Sequence, residues 1–472
     1  MSGDLPTGWA NATLAQLTAN PKHDIISGPF GSNLKAAEYV DAGVPIIRLQ
    51  NVDRNKFLEK NMRFIKPQKA RELSAHAFQT GDIVISKLGD PLGKACIVPE
   101  SLPRGIVVAD VVRVRIDEAR FCKPYAVYAI NSPAVISQIN QEMKGSTRPR
   151  VNLNHLRDLV IPLAPLSEQK RIVAKVEKML AKVDASRARL EKVSALLKRF
   201  RQSVLAAACA GRLTADWRKG KGKSGGWVPS SVGEVLESLK YGTATKCEYA
   251  KRGVPVLRIP NVVSGRIDHS DLKYAKLPAK ELQQLRLVAG DVLFIRSNGS
   301  VSLVGRTAVV SKAEENYAYA GYLIRLRPDR KKVEPDFLNL VLSSYDIRLQ
   351  IEVEARSTSG VNNINSEEVR ELSFQLPALP EQAEIVRRVE ELFALADRLE
   401  ARVGKARGQV DKLTQAILAK AFRGELVPQD PKDEPAEKLL ARIRAATGPV
   451  AVQGGKVASS VSVRRGRPRK VR

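Results

Sequence analysis

Residues 165–213 read PLSEQKRIVAKVEKMLAKVDASRARLEKVSALLKRFRQSVLAAACAGRL, and residues 378–426 read ALPEQAEIVRRVEELFALADRLEARVGKARGQVDKLTQAILAKAFRGEL. The stretches align without a gap at an offset of 213 and are identical at roughly a third of positions. Between Glu168 and Ala210 there is neither proline nor glycine. Val176, Met179, Val183, Ser186, Leu190, Val193, Leu197, Phe200 and Val204 follow alternating steps of three and four, and the second copy repeats the pattern from Val389 to Ile417. That heptad period predicts two long helices, each with one narrow apolar seam. Helices of about 40 residues would be about 60 Å long, more than a globular domain needs to close its own core. The simplest partner for each is the other copy. A globular segment lies between them, so they should run antiparallel. Ser167 is the expected N-cap of the first, and Pro380 in the matching place loses no hydrogen bond at a helix start. Gly211 and Gly424 stand where helix ends need them.

Working outward, the segments before each helix echo one another. Gly43-Val-Pro-Ile-Ile-Arg48-Leu-Gln-Asn51-Val returns as Gly253-Val-Pro-Val-Leu-Arg258-Ile-Pro-Asn261-Val. Thr80-Gly81-Asp82-Ile-Val-Ile returns as Ala289-Gly290-Asp291-Val-Leu-Phe, and Arg113-Val-Arg115 as Arg325-Leu-Arg327. Val151-Asn152-Leu-Asn154 answers Val361-Asn-Asn-Ile-Asn365. The helices match best, whereas the globular parts share framework patches separated by dissimilar stretches. A common scaffold with two different variable surfaces has that signature.

The fold class expected is α+β: two similar mixed α/β recognition domains separated by two long helices forming an antiparallel coiled coil, with a pseudo-twofold internal repeat. The divisions are a first domain at 1–164, a first spacer helix at 165–212, a linker at 213–226, a second domain at 227–377, a second spacer helix at 378–424 and a basic, partly disordered tail at 425–472.

Of 472 residues, 78 are Lys or Arg and 50 Asp or Glu, a formal charge of +28. An excess that large points to a polyanionic partner, and its spread over both halves and both helices implies a broad face. Residues 453–472 hold seven Lys or Arg and no acid. Four cysteines and four histidines are scattered without metal-ligand or disulfide spacing. No signal-peptide pattern or long apolar run appears, so the chain is expected to be soluble and cytoplasmic, without a membrane partner.

Catalytic motifs fail on inspection. Gly89-Asp-Pro-Leu-Gly93-Lys94-Ala95 has its glycines one residue too close for a phosphate loop, and Ala95 stands where a magnesium-holding hydroxyl is required. Gly222-Lys223-Ser224 has the right ending, but Trp217 occupies the upstream glycine position. No glycine-rich turn between strand and helix suggests dinucleotide or S-adenosylmethionine binding, and no nucleophile motif is present. The expectation is no catalytic, cofactor or metal residue in this chain.

These motifs, in this order and twice over, resemble the specificity subunits of type I restriction-modification enzymes, from about Trp9 to Leu426. The resemblance implies a subunit that reads a bipartite double-stranded DNA target, one half-site per recognition domain, with the helical pair fixing the gap. It also implies two partner methyltransferase subunits, which bind the S-adenosylmethionine and methylate adenine, and restriction subunits as further members of the assembly. Two alternatives stay open: a specificity subunit of another restriction system with a separate catalytic chain, and a basic coiled-coil adaptor without sequence-selective DNA binding.

Candidate DNA contacts come from polar, basic segments beside the framework patches. In the first domain these are Ser32, Asn33 and Lys35 in a glycine-rich loop, Lys87, and Arg148, Arg150 and Asn152. In the second they are Thr243, Thr245 and Lys246, then Arg296 and Asn298, then Arg356, Thr358 and Asn362. Arg48 and Arg258 recur in both copies, which suits framework better than a reader of differing sequences. In the tail, Arg465-Gly-Arg467-Pro resembles an AT-hook, which lays arginines in a narrow minor groove.

Overall fold

A computed structural model describes residues 5–30, 33–89, 91–116, 121–141, 150–220, 226–354, 357–358 and 361–447. The chain divides into two compact units. The first holds residues 1–187 and 408–472, and the second holds 188–407. Each long helix therefore contributes one half to each unit. The helices run Leu166–Cys209 and Leu379–Ala421.

In the first unit a four-stranded antiparallel sheet has the order Ile25–Ser27, Val111–Val114, Ile83–Ser86, Ala95–Ile97. A second sheet is ordered Arg63–Ile65, Val44–Ile47, Arg104–Val107, Ala77–Gln79, and its central pair is parallel. The Gly-Asp strand is buried along its whole length, which explains its unbroken apolar run. Ile83 and Ile85 face Tyr125, Ile130 and the helix residues Ile172 and Val176, whereas Val84 packs with Ile47 and Phe78 of the second sheet.

The second unit repeats this plan. Its sheets are ordered Leu236–Tyr241, Leu323–Pro328, Val292–Ile295, Thr307–Val309 and Lys273–Ala275, Val254–Leu257, Ala318–Tyr319. Val292 and Phe294 join Phe337, Val204 and Val389, while Leu293 and Ile295 pack with Val256 and Tyr319. A further short sheet joins Ser297–Asn298, Val361–Asn363 and Ser357–Thr358.

The recurring motifs are structural fixtures. Buried Asp82 takes both Nε and Nη2 of Arg115 at 2.9 and 2.7 Å and accepts from the Gln79 amide, and Asp291 does the same with Arg327 and the Val288 amide. Arg115 and Arg327 are held above the ordinary arginine range, chiefly by those carboxylates. Buried Asn51 accepts from the Arg48 amide and donates to the carbonyls of Leu58 and Lys60, while Asn261 accepts from Arg258 and donates to Asp268 and Asp271. Arg48 and Arg258 reach the carbonyls of Asn61 and Asp271, in keeping with a framework role.

The Glu-Gln entry has a similar logic. Gln169 donates to the Ala164 carbonyl and accepts from the Cys122 amide, and Gln382 donates to the Pro377 carbonyl and accepts from the Glu334 amide. Each glutamine thus ties a helix start to its own domain. The buried Glu168 accepts from the Trp9 indole at 3.0 Å, and Glu381 accepts from Thr214 at 2.7 Å. Burial raises the Glu168 carboxyl above the usual range, against the pull of Trp9 and Arg171.

Ser167 is not the N-cap. The helix starts at Leu166, with the Gln169 amide already bonded to the Pro165 carbonyl, so Ser167 lies inside the first turn. Gly211 and Gly424 adopt the left-handed conformation, φ 70° and 74°, that stops each helix. Of the expected linker, residues 213–220 complete a 3-10 turn that starts at Arg212 and form a short helix, Ala215–Gly220, and Asp216 pairs with Arg388. In the tail, the helix Ala436–Thr447 packs its Ala436 and Leu440 into the first unit's core, and Asp433 pairs with Arg171.

Within the second unit the helices pair antiparallel. Arg201 meets Asp397 and Glu400, and Glu191 meets Arg407. In the first unit Arg187 meets Asp411. The seam is buried where it meets a domain, at Val176, Val183, Val204, Val389 and Ile417, and thins elsewhere, with Val193, Leu399 and Leu413 exposed.

Asn261→Ala removes three backbone partners at a buried site. It should lower stability by about 1–3 kcal/mol, read as a drop in the urea midpoint at unchanged slope.

Candidate nucleic-acid interface

Both units place polar side chains where the Gly-Asp strand ends. In the first, Lys87 follows Ile83–Ser86; its amide donates to the Asp110 carbonyl at 2.8 Å, and its own carbonyl accepts from the Val151 amide at 3.0 Å. Arg150 bridges to Leu88 across this ladder, and its Nη2 lies 2.6 Å from Asp110 Oδ1. Lys87 is only 8% exposed. Burial pushes its ammonium below the ordinary lysine range, the Arg150 charge adds to that, and Asp110 opposes it.

The second unit builds the same crossing. The Arg296 amide donates to the Tyr322 carbonyl at 3.0 Å, and its carbonyl accepts from Ile364 at 2.9 Å. The Arg296 guanidinium lies 4.8 Å from the centre of the Tyr241 ring. The Tyr241 oxygen accepts from the Ser366 amide at 2.8 Å. Asn298 and Asn362 face each other across the short ladder; Asn298 accepts from the Ser300 amide, and Asn362 donates to the Gly299 carbonyl. Gly28 and Gly242 precede the crossing in their respective units. A Cβ there would lie 2.1 Å from Val108 backbone or 2.3 Å from Ala320 backbone, so neither place admits a side chain.

The equivalence corrects one alignment. Val151 corresponds to Ile364, not Val361, and Asn152 to Asn365, since each of those asparagines caps the helix that follows. Asn152 accepts from the His155 amide at 2.8 Å, which commits its carbonyl oxygen to the cap.

Elsewhere, Asn33 and Lys35 are exposed on the turn after Phe30. Thr243 is buried, with its hydroxyl on Glu281 at 2.6 Å, so it sits within the fold, whereas Thr245 and Lys246 are exposed. The backbone of Thr358 pairs with Val361. Ser32, Arg148, Arg356, Arg465 and Arg467 lie outside the described residues. The arrangement therefore brings together Lys87 with Arg150, and Arg296 with Asn298 and Asn362. Asp110 and Tyr241, which hold the two arginines, were not among the residues singled out from sequence. A tyrosine directly before the recurring glycine was the available signal for Tyr241.

Chemically these sites offer fixed cations and amide groups, the vocabulary of phosphate and base-edge recognition. Cys96 and Cys209 are not poised to react: burial pushes their thiols up to about 12 and about 11.

A sequence model of the type I restriction modification DNA specificity domain matches residues 33–195 and 224–405. The EcoKI specificity subunit of Escherichia coli K12 is 33% identical over 97% of this chain and 99% of its own length. The StySPI specificity subunit of Salmonella potsdam is also 33% identical, over 97% and 98%. Among solved structures, a chain from work on complex assembly and conformational transition of the type I R-M system superposes with a TM-score of 0.66 at 21% identity, covering 90% of this chain and 100% of that one. The HsdS subunit from Thermoanaerobacter tengcongensis gives 0.52 at 21%, covering 90% and 99%. The chain belongs to the type I restriction-modification DNA specificity family. Within that class it is a specificity subunit, the one that recognises DNA sequence.

A buried charge kept for binding should show as a stability deficit. Lys87→Met is expected to raise the urea midpoint at neutral pH while weakening DNA retention. The folded-state pKa is below the unfolded 10.5, so the wild-type deficit is complete below the folded pKa and fades as pH rises toward 10.5. A stability gap between the two proteins that does not narrow over that range would exclude this account.

Proposed function

We propose that this subunit reads a bipartite double-stranded DNA target, one half-site per unit, with the paired helices setting the gap. One observation carries the reading. The two units repeat a backbone crossing bond for bond, yet equip it with different side chains: Lys87, Asp110 and Arg150 in one, Arg296, Tyr322 and Asn363 in the other. Two equal scaffolds with unequal chemistry suit two half-sites of different sequence. The charge of +28 supplies the sequence-independent attraction on which such reading rests.

In this proposal the chain holds no cofactor and performs no chemistry. Two methyltransferase subunits bind S-adenosylmethionine and methylate adenine, and restriction subunits join the assembly. A repeat that offers the same helix and domain junction twice supports two copies of one partner. Exposed Leu196 (60%) and Leu395 (43%) on the helices of the second unit are apolar surface suited to partner helices. Among the described residues no helix is long and apolar enough to cross a membrane, which accords with a cytoplasmic site of action on DNA.

The test is co-expression with the neighbouring methyltransferase subunit, followed by mapping of methylated adenines in genomic DNA. A two-part motif with a fixed gap should appear only when this chain is present, and exchanging residues 1–155 for those of a relative should change one half alone. Methylation indifferent to the chain would overturn the proposal and favour a coiled-coil adaptor.

A further inference from the structure

Building on the bipartite reading, we infer that each unit reads one guanine through a single oriented arginine, Arg150 in the first and Arg296 in the second, and that Asp110 and Tyr241 are the residues that position them. The inference starts from the crossing shared by the two units. In each, one strand ends in a residue whose amide and carbonyl are both tied down, by Asp110 and Val151 or by Tyr322 and Ile364. The first unit has lysine at the strand end and arginine on the opposing strand; the second has Arg296 at the strand end and Asn363 opposite. An arginine stands at the crossing in both units, but on different strands. Framework residues do not behave so: Asp82 and Asp291, or Asn152 and Asn365, keep both identity and bonds.

Each arginine is held by a different device. The Arg150 side chain is 49% exposed and has one nitrogen on the Asp110 carboxylate. Arg296 lies against the face of Tyr241, which is fixed at its other end by the Ser366 amide. Both devices restrain a guanidinium. A restrained guanidinium can bond bidentately to a phosphate as well as to guanine O6 and N7; what favours the base is that the side chains at the crossing differ between the units, whereas a phosphate contact carries no sequence information. With its side chain half exposed, the Arg150–Asp110 pair contributes little to stability and the guanidinium stays accessible to a ligand.

The experiment uses the assembled methyltransferase complex and maps methylated motifs for Arg150→Ala, Arg150→Lys, Arg296→Ala and Arg296→Lys. Each is expected to make one guanine position degenerate in its own half-site, with about tenfold or greater loss of discrimination there, and to leave the other half unchanged. The lysine variants should do so while keeping overall DNA retention, because charge persists and the plane does not. Tyr241→Phe, which keeps the ring but loses the Ser366 bond, should relax the Arg296 position mildly, and Tyr241→Ala should relax it as far as Arg296→Ala, with the other half-site unchanged, a position-specific effect that a purely structural tyrosine would not give. Asp110→Asn should relax the Arg150 position more mildly. Assembly with the methyltransferase and a cooperative melt establish that each variant folds; if an alanine variant fails this check, its lysine counterpart carries the result. Affinity lost equally at all sequences, with a shallower salt dependence, would mean phosphate contacts and overturn the inference. So would a half-site without guanine. In both cases a bipartite wild-type motif would stand, whereas its absence would remove the underlying reading instead.

Discussion

A helix with one apolar seam cannot bury that seam alone, and everything else in this chain answers to that constraint. Each long helix gives one end to the core beneath each recognition sheet: Ile172 and Val176 with Ile417 and Leu418 in the first unit, Val204 and Ala208 with Ile385 and Val389 in the second. A core made this way is complete only when both helices are present. Helix burial and domain closure are thus one transition within each unit. The Glu-Gln entry serves it directly, since a glutamine bonded to the domain on both its donor and acceptor sides fixes where the helix leaves. Breaking that fixture would move a whole helix end rather than one side chain.

Much of this was legible in the sequence because framework positions obey strict local rules. Asp82 and Asp291 must repeat because a buried carboxylate needs its arginine, and Asn51 and Asn261 because an amide is the only side chain that satisfies three facing backbone groups. The heptad was readable for the same reason, as a period imposed by packing. What was not legible lies where one residue type can serve two ends. Thr243 resembled a loop hydroxyl but is buried on Glu281, a partner 38 residues away that no local pattern announces. Asp110 carries no local signal, because its pairing with Arg150, 40 residues away, exists only after folding. Residues 213–220 looked like linker from their glycine and lysine neighbours, yet Thr214 and Asp216 hold Glu381 and Arg388. The shift of the helix start from Ser167 to Leu166 is a boundary effect that propensity does not resolve.

The high positive charge divides into two populations with different physics. Arg115 and Arg327 are paired with the buried carboxylates of Asp82 and Asp291, and Arg113 and Arg325 are held by carbonyls inside the sheets, so none of the four is free to contact a ligand. The exposed lysines and arginines act at distance and are screened by salt. Counting charges from sequence merges the two. The first population is recognisable by recurrence in both halves, so comparing the repeats is a better guide to function than net charge.

That comparison also explains how a scaffold of this kind can change what it reads without losing its fold. At the crossing, the bonds that hold the strands belong to backbone atoms of Lys87 or Arg296 and of the buried Val151 or Ile364. Replacing the side chain leaves those bonds intact, so the cost of a new one is limited to its own desolvation and its orienting partner. The first unit meets that cost with a carboxylate and the second with an aromatic face. Because neither partner is shared with the sheets' buried charge pairs or with the helix seam, the two crossings can diverge independently while the helix ends in each unit stay under the packing constraint of that unit's core.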